Sequence, residues 1–65
     1  MKTVFVTDEH LGNDATEADA RRMVELLKER GYDARLGNGK EGCEAVPDEE
    51  WNECLDQIFQ ENYSA

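Results

Sequence analysis

The chain has 65 residues, near the lower limit for folding without disulfides or metals, so it makes one domain spanning 1–65 with one small core. Sixteen acids against seven bases give a net charge of −9, and the charge is uneven: residues 1–40 carry eight acids and seven bases, residues 41–65 eight acids and no base. That balance excludes binding nucleic acid through a basic patch and favours a basic partner.

Lys2 to Thr7 reads as a β-strand, since Thr3 to Thr7 are all β-branched or aromatic. Val4 and Val6 share one face; Thr3, Phe5 and Thr7 share the other. Asp8 to Asp14 is a loop broken by Gly12-Asn13. Thr16 caps a helix, with Asp19 three residues on in the capping-box position. Ala20, Met23, Val24 and Leu27, widened by Leu26, form its apolar stripe. Acids in its first turn and Lys28 and Arg30 in its last suit the helix dipole, and Gly31 ends it.

Tyr32 to Leu36 alternates apolar and charged residues, the pattern of a half-buried strand. Residues 37–42, GNGKEG, tolerate positive φ and read as a turn. The run is neither GxGxxG nor a Walker A loop. Cys43 to Val46 is expected to return as a short strand and close a hairpin. Pro47 and Asp48 open a last helix, with Val46 set to pack on Trp51 as a staple. In that helix Trp51, Cys54, Leu55, Ile58 and Phe59 fall on one stripe. Glu49, Glu53, Asp56 and Gln60 line the opposite side.

The expected fold is therefore an α/β (α+β) two-layer domain, ordered β-α-β-β-α, with two helices on one face of a small sheet. Its core is expected to hold Val4, Val6, Leu27, Trp51, Leu55, Ile58 and Phe59. Cys54, on the apolar stripe, is expected to be a buried thiol; a Cys43–Cys54 bridge requires strand and helix to meet there. No signal peptide is expected, because the apolar run Val4-Phe5-Val6 is too short for one, and no stretch is long and apolar enough to span a membrane. The expected compartment is the cytoplasm.

Two stretches bear on chemistry. The first is the strand followed by Asp8-Glu9-His10-Leu11-Gly12. This Asp-x-His-x-Gly arrangement resembles the first motif of the calcineurin-like metallophosphoesterases, where the Asp and His ligate one metal of a two-metal centre. Carried over, Asp8 and His10 are the matching ligands of a small metal-dependent phosphoesterase-like protein, with Asp14 nearby. The family's later motifs supply a further Asp, an Asn and several His. His10 is the single histidine here, so this sequence does not complete that site. No Gly-x-Ser-x-Gly motif marks a nucleophile, and Glu44 beside Cys43 disfavours a thiolate there.

The second stretch is the acidic side of the last helix. Its members rise about 4.5 to 6 Å from one to the next. That is comparable with one or two intervals of about 3.4 Å between charges along a DNA strand. In size, charge and two-helix layout the chain resembles the small acidic inhibitors made by bacteriophages and mobile elements. These are anti-CRISPR proteins, such as those directed at a type I Cascade complex, and DNA-mimicking anti-restriction proteins. The resemblance implies a non-enzymatic inhibitor without cofactor that occupies the basic DNA-binding surface of a host defence complex, inside a bacterial cell. It places the contact on Glu49, Glu53 and Asp56, supported by Glu50, Asp48, Glu44 and Glu41. An acidic adaptor for some other basic protein is the remaining alternative.

Overall fold

The computed structural model describes residues 3–12, 14–37 and 46–64. The elements run β1 (Thr3–Val6), a 3-10 turn (Asp8–His10), α1 (Glu17–Glu29), β2 (Asp33–Leu36) and α2 (Asp48–Ser64). The two strands pair in parallel, Val4 beside Ala34 and Val6 beside Leu36. A helical crossover between them is what parallel pairing requires. Val4, Val6 and Ala34 are fully buried under the helices. On the opposite face the Thr3 hydroxyl donates to Asp33 Oδ2 at 2.9 Å, and that hydrogen bond holds the Asp33 carboxyl below its ordinary value.

The fold is thus the small α+β layout that the apolar patterns imply, with a different element order. The third strand was expected over Cys43–Val46. Cys43 to Ala45, and the turn residues 38–42, lie outside the described residues, and Val46 sits in a bend. Among the described residues the sheet has two strands. Val46 nevertheless enters the core, and Trp51 packs partly buried against the same cluster.

α1 follows its local signals closely. The Thr16 hydroxyl accepts from the Asp19 N–H at 3.3 Å, and Asp19 Oδ2 accepts from the Thr16 N–H at 3.1 Å, closing the capping box. At the other end Gly31 takes φ +96°. The Tyr32 N–H bonds the Leu27 carbonyl and the Gly31 N–H that of Lys28, each at 3.0 Å. This is a Schellman motif, and its left-handed residue favours glycine. The stripe Ala20, Met23, Val24, Leu26 and Leu27 is buried throughout.

α2 packs chiefly on α1 and is seated through Cys54 and Ile58. Trp51 and Leu55 are partly buried at the margins. Phe59, expected in the core, is 52% exposed. The apolar stripe of α2 is wider than the seat that α1 offers, so Phe59 falls at its open edge. Among the described residues no helix is long and apolar enough to cross a membrane.

Candidate functional site

α2 carries six acids, and their position around the helix decides their fate. Glu50, Glu53 and Glu61 lie on the side toward α1 and meet its arginines. Arg30 Nη1 stands 3.0 Å from Glu53 Oε2 and 3.7 Å from Glu50 Oε1. The Tyr32 hydroxyl donates to Glu50 Oε2, which pushes the phenol above its ordinary value. At the far end Arg22 grips Glu61 with two nearly parallel bonds, Nε to Oε1 at 3.0 Å and Nη2 to Oε2 at 2.8 Å. Such forked pairing is the geometry in which arginine binds carboxylates best. The hydrogen bond from Arg22 holds the Glu61 carboxyl below its ordinary range, and the same contact raises Arg22 further above an already basic value. Asn62 adds a bond to Asp19 Oδ1 at 3.3 Å.

These contacts fix the two helices antiparallel, the end of α1 beside the start of α2. They also supply, from α1 and its cap, countercharge for a segment that has no base of its own. Glu53 was placed in one row with Glu49 and Asp56, but Arg30 draws it toward α1. Sequence held a clue to this. Arg22 and Arg30 are eight residues apart, as are Glu53 and Glu61. Both intervals come to about 12 Å, so two antiparallel helices bring both pairs into reach.

Asp48, Glu49 and Asp56 remain. All three are exposed, and none has a hydrogen bond or ion pair among the described residues. Tyr63, 90% exposed, lies on the same outer side, seven residues beyond Asp56. Glu41 and Glu44, the other residues expected at this site, lie outside the described residues.

A feature invisible in the sequence adjoins this face. Leu11 and Ala15, from the loop before α1, stand across a cleft from Leu55, Ile58 and Phe59 of α2. Its volume is about 200 Å³, and Asp14, Asp19 and Asn62 border it. The two walls are some forty residues apart in the chain, so no local pattern announces it.

The Asp8–His10 stretch is held by hydrogen bonds within its own few residues. It forms a 3-10 turn, with the His10 N–H on the Thr7 carbonyl at 3.1 Å. His10 Nδ1 is turned back on its own backbone and accepts from the Thr7 N–H at 3.2 Å. Among the described residues no group of three or more His, Cys, Asp or Glu side chains is placed to hold a metal ion. Cys54 is a buried free thiol whose ionisation burial opposes. Comparison with protein-family models, with curated proteins and with solved structures finds no match.

Proposed function

We propose that this chain is a non-enzymatic inhibitor that presents the outer side of α2 to the DNA-holding surface of another protein and competes with DNA there. The reading is that of a DNA mimic of the anti-CRISPR or anti-restriction kind, acting inside a bacterial host cell. The observation that supports it is the set Asp48, Glu49 and Asp56, unpaired among the described residues, on one exposed helix side, in a segment from residue 41 onward without any Lys or Arg. Glu49 and Asp56 are seven residues apart, about 10.5 Å along the axis. That is close to three intervals of about 3.4 Å along a DNA strand. Arginines arranged to receive phosphates meet carboxylates at a workable interval.

The paired acids define the right variant. Glu53→Lys would set two cations against each other at Arg30 and disturb the helix packing, so it cannot report binding cleanly. Glu49→Lys with Asp56→Lys touches no partner among the described residues. Bacterial lysate proteins retained on the immobilised chain should be released by duplex DNA and by rising salt, and the double variant should retain few of them. Retention that duplex DNA leaves intact, or that the folded double variant preserves, would overturn the proposal. DNA-resistant retention would favour an acidic adaptor instead.

A further inference from the structure

We propose that the cleft between Leu11 and Phe59 receives one large aliphatic side chain from a basic amphipathic helix of the partner. The inference rests on the reading that the outer side of α2 faces a basic surface. A duplex offers no apolar pocket, so charge imitation alone leaves this cleft unexplained. Its walls, Leu11, Ala15, Leu55, Ile58 and Phe59, are apolar. At about 200 Å³ it is smaller than the range of roughly 300–1,000 Å³ typical of small-molecule sites, and suits a single side chain.

Charge identifies the occupant. Asp14 is exposed at the border of the cleft. Asp56 precedes Phe59 by three residues and so neighbours it on the helix surface. Whatever inserts an apolar side chain here brings its flanks against exposed carboxylates. A second copy of this chain would bring its own net charge of −9 to the contact, and a nucleic acid its phosphates. Both are repelled. A helix with aliphatic residues on one side, edged by Arg or Lys, satisfies the cleft and the acids together, by the helix-in-groove mode of recognition. The cleft then supplies selectivity, because many basic surfaces meet the acids but few also carry an apolar residue at the right distance.

Two synthetic helical peptides of equal length and net charge test this on the full chain. One carries leucines along one side between arginines; in the other those leucines are glutamines. Amide shifts of the isotope-labelled protein locate each peptide, and titration gives the affinities. The leucine peptide should shift Leu11, Ala15, Leu55 and Phe59. It should bind about tenfold more tightly than the glutamine peptide, as burial of one aliphatic side chain implies. Phe59→Ser, and independently Ala15→Leu, which fills the cleft from the opposite wall, should each abolish that advantage and leave the glutamine peptide's affinity unchanged. Equal binding of both peptides, with shifts confined to Asp48, Glu49 and Asp56, would overturn the cleft proposal while leaving the acidic-face reading standing. Absence of binding by either peptide would overturn both. Self-association of the chain through the same amides would replace the basic helix by a second copy.

Discussion

Replacing Leu27 by alanine removes three heavy atoms from the centre of the molecule, at a side chain with no solvent exposure. At about 0.8 kcal/mol per buried methylene, the lost transfer energy is about 2.4 kcal/mol. The cavity left in the core cluster that also holds Val4, Val6 and Met23 raises the total to roughly 3–5 kcal/mol. A domain of this size has about 3–10 kcal/mol in all, so Leu27→Ala should leave it marginal or unfolded. Phe59→Ala is the contrasting case. Its ring is half exposed and lines an open cleft, so truncation removes contact without enclosing a void, and the cost should be about 1 kcal/mol. Urea denaturation followed by Trp51 fluorescence and far-UV ellipticity resolves the two. With a slope of about 1 kcal/mol per molar, the midpoint should fall by about 1 M for Phe59→Ala and by about 3 M or more for Leu27→Ala. Equal shifts would place Phe59 in the core and remove the outer wall of the cleft.

Two further outcomes follow from the polar contacts. Among the described residues the Thr7 hydroxyl oxygen is buried without a hydrogen-bond partner, in extended backbone that valine adopts readily, so Thr7→Val should raise stability by about 1 kcal/mol in a thermal melt. Arg22 lowers the Glu61 carboxyl below its ordinary 4.5, so the folded state gains from the ionised acid. That gain is complete above the unfolded value and disappears as pH falls through the folded one. Melting temperatures of the parent and Arg22→Met should therefore differ by a constant amount near pH 7 and converge as the buffer is acidified below about 4.5, with high salt narrowing the gap because both side chains are partly exposed.

What the sequence discloses and what it withholds divide along distance in the chain. The α1 helix is legible from end to end, because Thr16, Asp19 and Gly31 act on backbone within a few residues of themselves. The inward side of β1 and the seat of α2 on Cys54 and Ile58 also follow from periodicity. Periodicity gives the direction of a stripe but not the width of the surface that will receive it, which is why Phe59 belongs to the inward stripe and yet stands half in solvent. The pairing of Glu53 and Glu61 with Arg30 and Arg22 joins residues 23 and 39 positions apart. It depends on the antiparallel docking of two helices and so escapes a reading of α2 alone. The cleft needs the same docking plus the path of the loop at Leu11.

The two arginine contacts also use up scarce countercharge. Arg22 and Arg30, two of seven bases in the chain, are committed to acids of α2 that turn inward. Asp48, Glu49 and Asp56 then account for three of the nine net negative charges, and the rest of the chain carries the other six. The long-range pull toward a basic surface therefore comes from the whole molecule, and the choice of contact face is made at close range. Such attraction raises the association rate and weakens as salt screens it. Net charge of this kind acts mainly on the speed of encounter, whereas a side chain seated in the cleft acts mainly on how long the encounter lasts.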